Sequence, residues 1–152
     1  MSNIAQDIVI IARDNWGELW RRRQYLAAEF ADSGRRVLFI EPPYSLPRLI
    51  AGSPETASRP RDRLALGFSK PRRIKSNLYV TTPFKPLPNH PAPFRAFNRI
   101  IETNRLRSAI ASLGMKAPVL WINPEYGVWI PDAVPHSLVV YDVTDDWTQA
   151  SL

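Results

Sequence analysis

The sequence contains no cysteine and only two histidines, and these absences exclude several kinds of chemistry. Without cysteine, the chain can form no disulfide, thiolate metal site or thiol nucleophile. His90 lies in a proline-rich stretch and His136 precedes an apolar run, so neither favours a histidine-based metal cluster. The sequence therefore predicts no metal site and no cofactor.

Long apolar runs and the common nucleotide-binding motifs are lacking as well. No apolar stretch reaches the roughly 20 residues that span a bilayer, and residues 1–7 do not resemble a signal peptide. We therefore expect a cytoplasmic protein. The sequence has no GxGxxG, GxxxxGK[ST] or GxSxG motif, which disfavours dinucleotide-binding, P-loop and α/β-hydrolase functions.

Positive charge is plentiful but confined to one segment. The chain has 152 residues, of which 45% are hydrophobic, and a formal charge of +6. This size suits one domain, residues 1–152. The whole excess lies between positions 59 and 75, because the rest of the chain has 13 basic and 13 acidic residues. The basic patch consists of Arg59, Arg61, Arg63, Lys70, Arg72, Arg73 and Lys75.

Strand and helix patterns alternate along the chain. Apolar runs rich in β-branched residues predict buried strands at 7–12, 36–40, 118–122 and 137–141. Residues 64–68 and 78–82 are expected to form a strand pair flanking the basic stretch 70–75. Helices are predicted at 18–32 and 94–113, each followed by a glycine, Gly34 and Gly114. This order predicts an α/β fold with a Rossmann-like, doubly wound and mostly parallel sheet.

Ligands in such folds meet the carboxyl ends of the strands, so the loops at 13–20, 41–45, 123–127 and 142–147 are the ones to read for function. The first loop leads into a helix start with Trp16, Gly17, Arg21 and Arg23, which could bind an anion through free N–H groups and guanidinium groups. The alternative is a solvated helix capped by Asp14 or Asn15.

The last of these loops contains three closely spaced carboxylates, Asp142, Asp145 and Asp146, followed by Trp147. Neighbouring carboxylates raise one another's proton affinity, so one of them could act as a general base. The alternative is a helix start capped by Thr144 or Asp145 with acids in its first turn.

The basic patch also allows two interpretations. It is either a solvated loop or an electrostatic contact with an anionic membrane surface or a diphosphate. Phe68 and Tyr79 are the only aromatic residues within and beside it, so nucleic-acid binding by base stacking is not expected.

Residues 16–27, 34–43 and 140–147 together resemble the N-terminal half of bacterial family 4-like glycosyltransferases, especially those that build teichuronic acid and other cell-envelope polysaccharides. The resemblance implies one half of a GT-B architecture, whose two Rossmann-like domains face each other across a cleft. It also implies a retaining, metal-independent transfer from a nucleotide sugar to a glycan or lipid-linked acceptor.

By that resemblance, Trp16, Gly17, Arg21, Arg23 and Trp147 would contact the acceptor. The three acids at 142, 145 and 146 would lie at the cleft floor and provide the general base. The nucleotide sugar would bind only through a second domain, and relative to such enzymes the chain is expected to be truncated at its C-terminal end. The competing prediction is a non-enzymatic basic module that binds an anionic membrane or nucleic acid.

Overall fold

The computed structural model describes residues 6–17, 19–47 and 70–143, except the side chain of Glu125. Its main element is a six-stranded sheet of β1 (Ile8–Ile11), β2 (Val37–Ile40), β4 (Arg72–Lys75), β5 (Leu78–Thr81), β7 (Val119–Ile122) and β8 (Leu138–Tyr141). Across the sheet these strands lie in the order β4-β5-β2-β1-β7-β8. A separate pair joins β3 (Tyr44–Ser45) to β6 (Phe84–Lys85) in parallel.

Only β4 runs antiparallel in the main sheet; every other pairing is parallel. Counted along the chain, the five parallel strands have the order 3-2-1-4-5. The connection after β1 leads to β2 at one side of this pair, and the connection after β7 leads to β8 at the other side. The crevice between β1 and β7 is therefore the topological switch point. The predicted α/β class with a mostly parallel sheet is confirmed, and the arrangement is compatible with a Rossmann-like fold.

Helices cover both faces of the sheet because β1 and β2 are apolar on both sides. Helix α1 (Arg22–Asp32) buries Ala27 and Ala31 against Ile8, Ile10 and Phe39. Helix α2 (Ala92–Ser112) buries Leu106 and Ile110 on the opposite face, together with the short helix α3 (Ile130–Ala133). Both long helices end next to glycines with positive φ, Gly34 at 87° and Gly114 at 68°, as predicted.

The first helix differs from its prediction at its start. It begins at Arg22 rather than at position 18. Leu19, which helical spacing over 18–32 would place on the apolar face with Leu26 and Phe30, is 85% exposed. Arg21 is the N-cap residue, so neither Asp14 nor Asn15 caps the helix. Asp14 instead accepts a 2.6 Å bond from Arg23, and Gln24 Oε1 accepts from the Arg21 N–H at 3.1 Å.

The strand at 78–82 was predicted, but its antiparallel partner was predicted at the wrong place. Arg72–Lys75, expected as a connection, is itself the strand that pairs antiparallel with β5. A two-residue turn joins them, with Asn77 at φ 64°. Basic side chains suit this position because β4 is an edge strand, where charge discourages pairing with another chain. The expected strand at 64–68 lies outside the described residues.

The last strand, β8, was expected to be buried but lies at the other edge of the sheet. Leu138 is 55% and Tyr141 is 52% exposed, because no described element packs beyond this strand. Within the described ranges, no helix is long and apolar enough to cross a bilayer.

Candidate functional site at the carboxyl edge of the sheet

Polar side chains gather at the carboxyl ends of the parallel strands. Residues that follow β1, β2, β5, β7 and β8 meet at this edge, since the strands run in one direction. They form two clusters on opposite faces of the sheet, one beside α1 and the other beside α2.

The cluster beside α1 is centred on Asp142, directly after β8. Its carboxylate accepts hydrogen bonds from Arg22 Nη2, from Trp121 Nε1 at 3.1 Å and from Asn123 Nδ2 at 3.0 Å. The Asp142 side chain is only 8% exposed. Burial by itself would raise the pKa of Asp142, but the hydrogen bonds and the charge of Arg22 outweigh it and lower this pKa below its usual value.

A carboxylate with a lowered proton affinity is a weak general base. Asp142 therefore suits a role in orienting Arg22 and Trp121 better than proton transfer. Asp145, Asp146 and Trp147, the remaining predicted residues of that loop, lie outside the described residues, so their predicted roles stay predictions.

The first loop places its predicted acceptor residues in different surroundings. Trp16 is 7% exposed and packs edge-on against Phe39 and Trp20, with ring centroids 5.2 and 5.1 Å away. It is therefore part of the core and does not present a free stacking face. Gly17 and Arg21 are exposed at the same edge of the sheet.

Arg23 is largely buried and pairs with Asp14 at 2.6 Å, with side chains 12% and 14% exposed. Its Nε is buried without a hydrogen bond. The Nε atom is therefore a donor that no protein group satisfies, but it is shielded from solvent. Arg23 thus lies at this edge as a fixed positive charge paired with Asp14.

Glu41 fixes the loop after β2 to its neighbours. It is 7% exposed, and its carboxylate accepts from the Trp16 backbone N–H at 2.7 Å and from the Thr82 hydroxyl. Charged hydrogen bonds of this kind are stronger than neutral ones. They connect the chain after β1, β2 and β5 into one rigid edge.

The cluster beside α2 surrounds a cleft that sequence reasoning did not identify. Glu102 projects from the inner face of α2 and is 7% exposed. Its Oε1 forms an ion pair with Lys85 Nζ at 3.4 Å, although the geometry is not that of a hydrogen bond. Burial raises the pKa of Glu102, although Lys85 and Arg99 act in the opposite direction.

Tyr126 lies between the two clusters. Its hydroxyl donates to the Ala12 carbonyl oxygen at 3.0 Å, and Lys85 Nζ lies 5.9 Å from its ring centroid. Burial, and then the charge of Glu102, raises the pKa of Tyr126 to about 12 despite nearby arginines. The loop at 123–127 was singled out from the sequence, but nothing there indicated that this tyrosine would reach across to β1.

The basic patch is described only in part. Arg72 and Arg73 are exposed on the edge strand β4, whereas Lys75 pairs with Asp32 at 2.6 Å. Lys70 is exposed just before this strand, and Arg59, Arg61 and Arg63 lie outside the described residues. Among the described residues, no group of three acidic or histidine side chains could hold a metal ion.

Comparisons with known proteins add no relative. No protein-family model, no curated protein and no solved structure matches the chain.

Proposed function

We propose that this chain is the acceptor-side domain of a GT-B glycosyltransferase that adds a sugar to a cell-envelope glycan or lipid-linked acceptor. One observation carries the proposal: the parallel strands bring the loop of Trp16, the buried Arg23 and the Asp142 cluster to a single edge at the switch point. Open α/β sheets bind their ligands there. Two stretches that resemble the glycosyltransferases, residues 16–27 and 140–147, have described parts at this edge, namely Trp16, Gly17 and Arg23 of the first and Asp142 of the second.

The proposal gives the arginines and Asp142 at this edge different roles in acceptor binding. Arg23 and the exposed Arg21 would bind the diphosphate of a lipid-linked acceptor. Asp142 would hold Arg22 and the Trp121 indole in place through its hydrogen bonds. The nucleotide sugar would bind to a second domain, and transfer requires both substrates to be positioned together. The chain alone should therefore bind the acceptor but not turn it over.

Binding measurements on the whole 152-residue chain test this proposal. In calorimetric titrations we expect saturable binding of a short-chain polyprenyl-diphosphate-linked sugar and none of UDP- or GDP-sugars. Arg21→Ala should weaken acceptor binding about tenfold, as expected for loss of one charged contact. Lys116→Ala removes the same charge at the opposite, amino edge of β7 and serves as the matched control.

Three results would contradict the proposal: saturable binding of a nucleotide sugar, clear sugar turnover by the chain alone, or no acceptor binding. Equal weakening by Arg21→Ala and Lys116→Ala would indicate that only the overall charge matters.

The exposed Arg72 and Arg73 favour a second candidate, a basic module that binds an anionic membrane surface or nucleic acid. Charge-driven binding weakens steeply with salt. Sedimentation with anionic liposomes and titration with oligonucleotides, each at two salt concentrations, would separate this candidate from the first. Binding that survives replacement of all seven basic residues of the patch would refute it.

A further inference from the structure

Helix α2 begins beyond the carboxyl ends of the strands. Ile110, near its end, packs in the core on the sheet. Earlier in the helix, Glu102 lies beside Ile11 and Ile40, the last residues of β1 and β2. The helical residues before Glu102, 92–101, add about 15 Å of helix at 1.5 Å per residue. This first part of α2 therefore projects past the edge of the main sheet.

One face of the projecting part is apolar and open to solvent. Phe94, Phe97 and Ile100 are 38%, 47% and 59% exposed. They follow one another at intervals of three residues, so their side chains are neighbours on the helix surface. Further along, the same face carries the exposed polar residues Asn104 and Arg107. The α2 ridge of Phe94, Phe97 and Ile100 is therefore an apolar patch that is confined to the projecting part of the helix.

The other side of the projecting part is fixed to the protein. The Asn98 side chain donates to the Leu87 carbonyl oxygen at 2.8 Å and accepts from the Leu87 N–H at 3.1 Å. Lys85 of β6 pairs with Glu102 at 3.4 Å, where the projecting part meets the rest of the helix. These contacts hold the helix in one orientation, so the ridge is presented to solvent by a rigid element.

The charge around the ridge is positive. Arg95 and Arg99 are exposed beside it, and residues 85–101 include no acid. The whole helix has four arginines and a single acid, Glu102, which is buried in an ion pair. The exposed Asp132 lines an open groove together with Arg99 and offsets one of these charges. Exposed apolar side chains surrounded by arginines are typical of a helix that lies on an anionic membrane surface.

A lipid surface fits the ridge better than a protein partner does. Three large side chains exposed to these extents present roughly 300 Å², whereas each partner of a stable protein interface buries about 800 Å². A second copy of the chain would meet the same face across a twofold axis and bring arginines against arginines. Lipid headgroups instead offer phosphates to the arginines and an apolar layer to the side chains of the ridge.

We propose that the α2 ridge inserts into the headgroup region of an anionic lipid membrane, with Arg95 and Arg99 at the lipid phosphates. This contact differs from one made by Arg72 and Arg73 of β4, because it buries apolar side chains as well as bringing charges together. The inference goes beyond the proposed function and holds whether or not the chain binds a sugar acceptor.

Sedimentation of the whole chain with phosphatidylcholine vesicles, with and without phosphatidylglycerol, tests the inference. We expect binding to the anionic vesicles that weakens at least about tenfold in Phe94→Ser/Phe97→Ser, because apolar burial is lost. Leu138→Ser is the matched control, since Leu138 is 55% exposed at the amino end of β8, and it should not alter binding. Arg72→Ala/Arg73→Ala should weaken binding less than the ridge variant does.

The absence of cysteine allows a second measurement at single positions. Phe97→Cys and Leu138→Cys can each carry one environment-sensitive fluorophore. Emission from position 97 should rise and shift to the blue when anionic vesicles are added, whereas emission from position 138 should stay unchanged. This readout also decides the matter if the double serine variant does not fold, as judged by circular dichroism.

Several results would overturn the inference. These are no binding to anionic vesicles, equal binding by the ridge variant and the wild type, or equal emission changes at positions 97 and 138. A dimer in sedimentation equilibrium that is lost in the ridge variant would assign the ridge to a second copy of the chain instead.

The vesicle experiment and the acceptor titration fail independently, because the short-chain acceptor is titrated without vesicles. Vesicle binding without acceptor binding would leave the ridge as a membrane contact and reject the acceptor domain. Acceptor binding without vesicle binding would reject only the membrane contact.

Discussion

Removing the Glu41 carboxylate should destabilise the fold more than any surface change. Hydrogen bonds to this one side chain, which follows β2, hold the segments that follow β1 and β5. Glu41→Ala leaves the Trp16 N–H and the Thr82 hydroxyl without their acceptor. Both residues are nearly buried, at 7% and 6% exposure, so water cannot readily replace the lost bonds. A hydrogen bond to a charged group contributes about 1.5–3 kcal/mol. Two such bonds are lost, but truncation also removes the cost of burying the charge. We therefore expect the free energy of unfolding to fall by about 3 kcal/mol, at the lower end of the sum of the two bonds.

Urea unfolding measures this loss directly. With a slope of about 2 kcal/mol/M, a loss of 3 kcal/mol lowers the midpoint by about 1.5 M. Glu41→Gln keeps an acceptor oxygen for the Trp16 N–H and should cost about 1 kcal/mol. Glu29→Ala, an exposed change on α1, should stay within about 0.5 kcal/mol of wild type. A midpoint for Glu41→Ala as high as that of Glu29→Ala would refute the reasoning.

Three further predictions concern the same edge. Gly127→Ala should lower the free energy of unfolding, measured in urea, by about 1–3 kcal/mol, because its new Cβ would lie 2.8 Å from an isoleucine methyl group. Gly17→Ala, with nothing within 4 Å, should lower it by less than 1 kcal/mol, and equal losses would contradict this account. Alkaline spectrophotometric titration should show one tyrosine ionising near pH 12, a step that disappears in Tyr126→Phe. Because the pKa of Tyr126 is raised in the folded state, the stability that this tyrosine contributes is lost as pH rises from about 10 to 12. The Trp121 indole proton signal should titrate with Asp142 at a pH below 3.8, where the stability from this carboxylate is also lost; a midpoint above 3.8 would refute the lowered pKa.

The sheet was the most predictable part of the structure. Strands β1, β2 and β7 lie inside their predicted ranges because each is a continuous apolar run that suits burial on both faces. The glycines after α1 and α2 were predictable for a similar reason, since few other residues adopt a positive φ at a helix end. These signals are local, so one sequence suffices to read them.

The face of α2 could not be predicted in the same way. Helical spacing over 94–113 would place Phe97 on the apolar side with Ile101 and Ile110. Phe97 is instead 47% exposed, while Asn98 and Glu102 are buried. The Asn98 side chain donates to the Leu87 carbonyl oxygen at 2.8 Å and accepts from the Leu87 N–H at 3.1 Å. This contact anchors the proline-rich segment to the helix, and a hydrogen bond between distant residues leaves no trace in helical periodicity.

The candidate site was predictable in position but not in membership. Parallel strands imply that their carboxyl ends share an edge, so the loops that begin at positions 13, 41, 123 and 142 could be selected in advance. Which side chains turn inward depends on partners elsewhere in the chain. Lys85 comes from the small sheet of β3 and β6, and it meets Glu102 only because α2 packs beside that sheet.

The crevice between β1 and β7 is bridged by one hydrogen bond. The Tyr126 hydroxyl, from the loop after β7, donates to the Ala12 carbonyl oxygen after β1. A ligand that enters between these two groups has to break this bond, and the buried carbonyl group then needs a new donor. Binding inside the crevice therefore costs more free energy than binding beside it, at the edge where Arg21 is exposed.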